Sequence, residues 1–251
     1  MVLIVLEIDV FENLFNECLK NDTQFEQLNF LWKLMRSPHT QYHYSLMIRE
    51  DISEQFRKIL WSRFDEHGEN AEEILISKLE HSEDALYHGD MIFLLGKIAD
   101  TRNSKNKDKI LNLVKQSSTS PDDYLRDRAI IVLGWIGTNA ELPILIDRLQ
   151  NDKNSKCRAW AASSFMQMDF RLKRKGLSVD EGSVITALHE AMINEDDYFA
   201  LGTYIFVLQE ITGKNFRLSH RAAECIDVEK IEKSKKSALN FLKKWENSVS
   251  Q

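Results

Sequence analysis

Two histidines, His39 and His43, stand four residues apart, a spacing that can place two imidazoles on one helical face beside a metal ion. No third ligand lies near them in the sequence, and Pro38 sits where such a helix would begin. Cys18, Cys157 and Cys225 are odd in number and far apart, so neither a disulfide framework nor a Cys-x-x-Cys metal knuckle can be drawn. No Gly-rich phosphate loop, nucleophile elbow or His-Glu-x-x-His run occurs. The expectation is a chain with no metal and no cofactor, in a reducing, cytoplasmic compartment, that is not an enzyme.

A different chemistry, that of recognition, is suggested by aromatic and cationic residues recurring at helical spacing. Tyr124, Arg128, Ile131 and Trp135 fall on one helical stripe, and the same register gives Leu86, Asp90, Phe93 and Lys97 upstream. Downstream it gives Lys156, Trp160, Ser163 and Gln167, then Phe199, Thr203, Phe206 and Glu210. Aromatic and Arg side chains are the types that anchor protein interfaces. Trp135, Trp160, Arg128, Tyr124, Phe93, Lys97, Lys156 and Phe206 are therefore the candidate binding residues. Two readings of the stripe stay open: an aromatic groove, or packing between neighbouring elements of a wide apolar arc.

The elements that must position these residues repeat. The runs 124–137 and 156–166 share the skeleton apolar-Arg-x-x-Ala-x-x-small-large, as Leu125, Arg126, Ala129, Val132 and Leu133, and as Cys157, Arg158, Ala161, Ser164 and Phe165. Each follows a shorter apolar-periodic segment, 110–115 and 142–149, the second with Pro143 in its first turn, where a missing N–H costs little. The template also fits 74–79 with 87–98, and 184–192 with 200–208. Equivalent apolar positions Ile98, Ile136, Met168 and Ile211 are then 38, 32 and 43 residues apart, the period of two-helix solenoid units. With only 9 Gly and 3 Pro in 251 residues, turns are too few for a sheet-rich fold of this size.

The predicted fold is all-α, an α-α superhelix of about five to six helix pairs forming a single domain over 1–251. Degenerate N-terminal helices occupy 1–70, four units 71–213, and capping helices 214–251. In each second helix the positions of Ala129, Val132, Leu133 and Ile136 form the core. Within 1–70, the apolar start at 1–10 reads as the beginning of a first helix, since it lacks the basic flank and cleavage site of a leader. Residues 22–36, capped by Asp22 or Thr23, and 42–64 read as a degenerate pair, and 230–245 as one basic amphipathic helix. Arg171, Lys173, Arg174 and Lys175, closed by Gly176, read as ordinary helix-end chemistry. No apolar run reaches the roughly 20 residues needed to span a bilayer.

These repeats resemble the HEAT family, in particular the bacterial short HEAT-like repeats also found in phycobilin lyases. The resemblance implies an Asp and an Arg near the start of each second helix that bond within and between units. The sequence matches at Asp122 with Arg126 and at Asp152 with Arg158, and departs at Asp84 with His88 and at Asp197 with Leu201. HEAT-like alkylpurine DNA glycosylases use a Trp and an Asp on a basic concave face, to which Trp61 with Asp65 and Trp160 with Asp169 are similar in type; a nucleic-acid-binding protein or such a glycosylase is the alternative. The charge disfavours it. The chain carries −6 overall, with −10 over 1–100, +7 over 101–175, −7 over 176–212 and +4 over 213–251, which makes nucleic acid an improbable ligand for the whole length. The leading expectation is a non-catalytic, protein-binding adaptor or inhibitor, of the immunity-protein type, that takes a basic partner across the concave face formed by the second helices.

Overall fold

A computed structural model describes residues 7–21, 23–81, 87–101 and 104–249, with side chains to 247. The expected helix start at 1–6, a cap at Asp22, and the Asp84 and Leu86 positions lie outside the described residues. Among those described there are fourteen α-helices and one 3-10 turn, and no strand. The chain divides into two compact units, Met1–Asn106 and Lys107–Gln251.

The first unit holds α1 (Ile8–Asn21), α2 (Gln24–Leu34), α3 (Thr40–Met47), α4 (Glu54–Trp61), a 3-10 turn (Phe64–His67), α5 (Glu69–His81) and α6 (His88–Thr101). Thr23 caps α2, its hydroxyl accepting from the Glu26 N–H and donating to the Glu26 carboxylate. Residues 42–64 do not make the one continued helix that their apolar spacing suggests. The chain leaves the helix at Ile48, and Ser53 caps a new one by accepting from the Phe56 N–H. Arg49 holds both carboxylate oxygens of Asp51 across the break. The core of this unit is aromatic, with Phe11, Phe15, Phe30, Phe56 and Phe64 buried and Phe15 stacked on Phe56 at 5.8 Å.

His39 and His43 do not share a helical face. His39 is the residue before α3, and His43 points into the core. His43 Nε2 lies 3.1 Å from the Leu60 carbonyl oxygen, which can only accept, so Nε2 carries the proton in the neutral ring. His43 Nδ1, 2.9 Å from His67 Nε2, is then the acceptor. Among the described residues no group of three His, Cys, Asp or Glu is placed to hold a metal. Burial pushes His43 down to about 3, the neighbouring His67 adding to the effect, and burial pushes His67 down to about 4.

Both rings are thus neutral when folded and titrate normally when unfolded. Their contribution is fully present above the unfolded value near 6.5 and is lost as pH falls toward 4, because the unfolded chain binds the protons first. Lowering the pH from about 7.5 to about 5 is expected to cost roughly 4 kcal/mol, half of it from each ring. The measurement is urea unfolding at both pH values for the wild type and His67→Gln; equal pH dependence in the two would sever the effect from this pair.

The second unit holds α7 (Lys107–Ser117), α8 (Asp123–Ile136), α9 (Leu142–Asn151), α10 (Ser155–Lys173), α11 (Glu181–Asn194), α12 (Tyr198–Thr212), α13 (His220–Glu224) and α14 (Val228–Val249). The helices form two layers. α10 packs between α8 and α12, while α7, α9 and α11 pack on α8, α10 and α12 respectively, and α14 covers α11 and α12. Ala129, Val132, Leu133 and Ile136 are all buried, as are Ala161, Phe165 and Met168 one unit on, so the expected core register holds. Ile231, Ala238 and Leu242 seat α14, as its amphipathic pattern requires.

Candidate functional site

Three second helices, α8, α10 and α12, lie side by side, and what fixes their spacing also fixes what they present. Gly134 of α8 meets α10 so closely that a Cβ there would stand 2.9 Å from Ser164 Cα. The Ser164 hydroxyl donates to the Ile130 carbonyl oxygen at 2.9 Å. Asp122 caps α8, accepting from the Tyr124 and Leu125 N–H groups, Asn154 caps α10, and Asp197 caps α12. The far end of α10 closes in a Schellman turn, with Gly176 at φ +72° and the Leu177 N–H bonded to the Leu172 carbonyl oxygen.

An Arg–acid ladder locks successive helix pairs of the second unit together, and its partners differ from the expected ones. Arg126 does not bond Asp122. It reaches the next unit and grips buried Asp152 through Nε at 2.7 Å and Nη2 at 2.9 Å, while Nη1 donates to the Ser120 carbonyl oxygen at 2.7 Å. Arg158 does not pair with the Asp152 carboxylate either. It donates to both oxygens of Glu195, at 2.7 and 2.6 Å, and to the Asp152 carbonyl oxygen. The Asn154 amide and the Arg126 guanidinium hold Asp123 down to about 2. At the last unit the Arg position is Leu201. There Lys235 of α14 donates to the Glu195 carbonyl oxygen at 3.2 Å, and Tyr204 donates to its carboxylate at 2.8 Å. Glu195, Tyr204 and Lys235 were not singled out from the sequence, though Glu195 stands two residues before its cap, just as Asp152 does.

On this frame the stripe faces outward. Tyr124 is 40% exposed, Arg128, Trp135 and Trp160 are half-buried, and Lys156 is exposed, while Ile131 is buried. The Arg128 guanidinium lies 4.8 Å over the Tyr124 ring. Lys156 pairs with buried Asp127 at 3.1 Å. The Trp160 indole N–H is buried with no acceptor among the described residues. On α12, half-buried Phe206 sits edge-on to His220 at 5.1 Å and lines a cleft with Gln209, Glu210 and Lys214.

Phe93 and Lys97 belong to α6 of the first unit. Phe93 is half-buried, and Lys97 is tied at 2.8 Å to Asp65, itself buried beneath the surface. Asp65 therefore spends its charge on Lys97, and Trp61 beside it is buried. Trp160 and Asp169 are nine residues apart on one helix, two and a half turns, and so point to opposite sides; Asp169 is buried and pairs with Lys173 at 2.7 Å. The basic cluster is likewise engaged: Lys173 also reaches Glu181 at 3.5 Å, and Arg171 donates to the Gly137 carbonyl oxygen.

No helix among the described residues is long and apolar enough to cross a membrane. No curated protein and no solved structure matches the chain significantly. The family model for HEAT repeats matches residues 72–166, the stretch that contains the ladder arginine Arg126, the Gly134–Ser164 contact and both stripe tryptophans. Over residues 72–166, a little over a third of its length, the chain is similar to HEAT repeats.

Proposed function

We propose that the chain is a non-catalytic scaffold that binds another protein on the α8–α10–α12 face. The observation that carries this reading is the stripe of exposed Tyr124 with half-buried Arg128, Trp135 and Trp160 on rigidly laddered helices. Exposed acids on the following elements, among them Glu190, Asp196 and Glu210, favour a basic partner, in keeping with an inhibitor or immunity-type role in the cytoplasm. The chemistry is that of a preformed aromatic surface, so binding requires no bond-making step.

The test is the double substitution Trp135→Ala with Trp160→Ala. Both rings are half-buried and outside the Leu133 core, so the fold is expected to survive, with a helical spectrum unchanged. Affinity for a partner recovered from the source cell is expected to fall by about 2 kcal/mol, roughly 30-fold. A double variant that binds as tightly as the wild type would remove this face as the site. Arg174→Ala, an exposed charge on the periphery, is expected to alter chiefly the salt dependence of association.

A further inference from the structure

Helix α2 has apolar residues on two faces where a surface helix needs one. Phe30, Leu31 and Leu34 are buried inward, yet Phe25, Leu28 and Trp32 are 78%, 49% and 52% exposed. Their positions, i, i+3 and i+7, put them on a single stripe, extended by Arg36, whose guanidinium lies 3.5 Å over the Trp32 ring. One flank of the stripe carries Glu26 and, two turns on, Lys33. No carboxylate among the described residues pairs with Lys33.

We propose that α2 is the two-fold interface of a homodimer. A two-fold axis through Leu28 runs the two copies of α2 antiparallel and brings like flanks together. Phe25 of one copy then meets Trp32 of the second, Leu28 meets Leu28, and Glu26 meets Lys33 on the same side, twice over. The paired residue numbers sum to 57, 56 and 59, so the charged pair is offset by three residues, about 4.5 Å along the helix, from the Leu28 register, a gap that the long Glu and Lys side chains span. That self-complementarity selects a second copy of this chain over a foreign helix. It also gives the exposed Trp32, an aromatic with a stacked Arg, the desolvated setting such anchors occupy at interfaces. This interface is separate from the α8–α10–α12 face and stands or falls independently of it.

Sedimentation equilibrium on the full chain, from low micromolar to several hundred micromolar, is expected to show a reversible monomer–dimer equilibrium. One helical stripe is a small interface, so the dissociation constant should lie in the micromolar range. Leu28→Lys is expected to weaken the dimer by at least about tenfold with the helical spectrum preserved. The charge pairs supply a sharper readout. Lys33→Glu chains and Glu26→Lys chains should each associate more weakly than the wild type. Mixed together they should form a heterodimer, because each Glu of one then faces a Lys of the other. A wild type that stays monomeric throughout would overturn the proposal and leave the stripe to a foreign partner. Wild-type-like dimerisation of Leu28→Lys, or no gain on mixing the two charge variants, would place any dimer elsewhere on the chain.

Discussion

Leu133→Asp is expected to destabilise the second unit by about 5 kcal/mol or more, enough to unfold it under ordinary conditions. Leu133 is 0% exposed in the last turn of α8, among Ala129, Val132 and Ile136, which are also buried. No cation of the Arg126–Asp152 ladder lies within a turn of it on the helix, so a carboxylate there has neither water nor a partner. It either stays charged at a large desolvation cost or takes up a proton and leaves hydroxyl and carbonyl groups unbonded, and in both cases the leucine's packing is lost as well. The control is Tyr124→Asp on the same helix, where 40% exposure leaves the new charge hydrated and the change below about 1 kcal/mol. Urea denaturation followed by circular dichroism gives both numbers. Similar midpoints for the two variants would show that the assigned face of α8 is wrong.

The contrast between those two positions was legible in the sequence, because a 3.6-residue period separates buried from exposed residues wherever one layer covers a helix from one side. That is why α8 and α10, with their shared skeleton, and α14, with Ile231, Ala238 and Leu242, were placed correctly in register. The N-terminal region was less legible for a physical reason. Apolar residues from Tyr44 to Phe64 keep a helical spacing across a break that contains no Gly or Pro, and the break is made by Arg49 gripping Asp51 and by Ser53 capping a new helix. Those are contacts of residue types that elsewhere sit inside helices without harm. The contact His43 makes was equally hidden. His43 is four residues from His39 in sequence, but its ring partner is His67, which only the folded chain brings near. On the candidate site, spacing picks out a stripe without showing which of its cations are spoken for. Lys97 and Lys156 look like spare positive charges in the sequence, whereas each neutralises an Asp that is buried beside it.

The ladder shows the same limit, and its arginine supplies the other large effect. Arg126→Ala is expected to cost about 3–5 kcal/mol, the usual result of stripping one member from a buried ion pair. Arg126 and Asp152 are both buried, and the guanidinium gives Asp152 two hydrogen bonds, Ser120 a third and Asp123 a fourth. Without it the Asp152 carboxylate keeps only its own backbone neighbour at Asn154 and the more distant Arg148 guanidinium at 3.6 Å, and the Ser120 carbonyl loses its donor. The loss therefore arises less from a missing attraction than from groups left buried and unpaired. That distinction can be measured. Asp152→Leu alone should also destabilise, since it leaves the buried Arg126 charge with only Asp123 and the Ser120 carbonyl oxygen, but Arg126→Met combined with Asp152→Leu removes both charges of the pair and fills the space with apolar atoms of similar volume. The double variant is expected to be more stable than either single one, with a coupling of about 2 kcal/mol or more in the cycle. Single changes that simply add would mean that the two residues do not act as a pair, and that the adjoining units are held by apolar packing such as the Gly134–Ser164 contact alone.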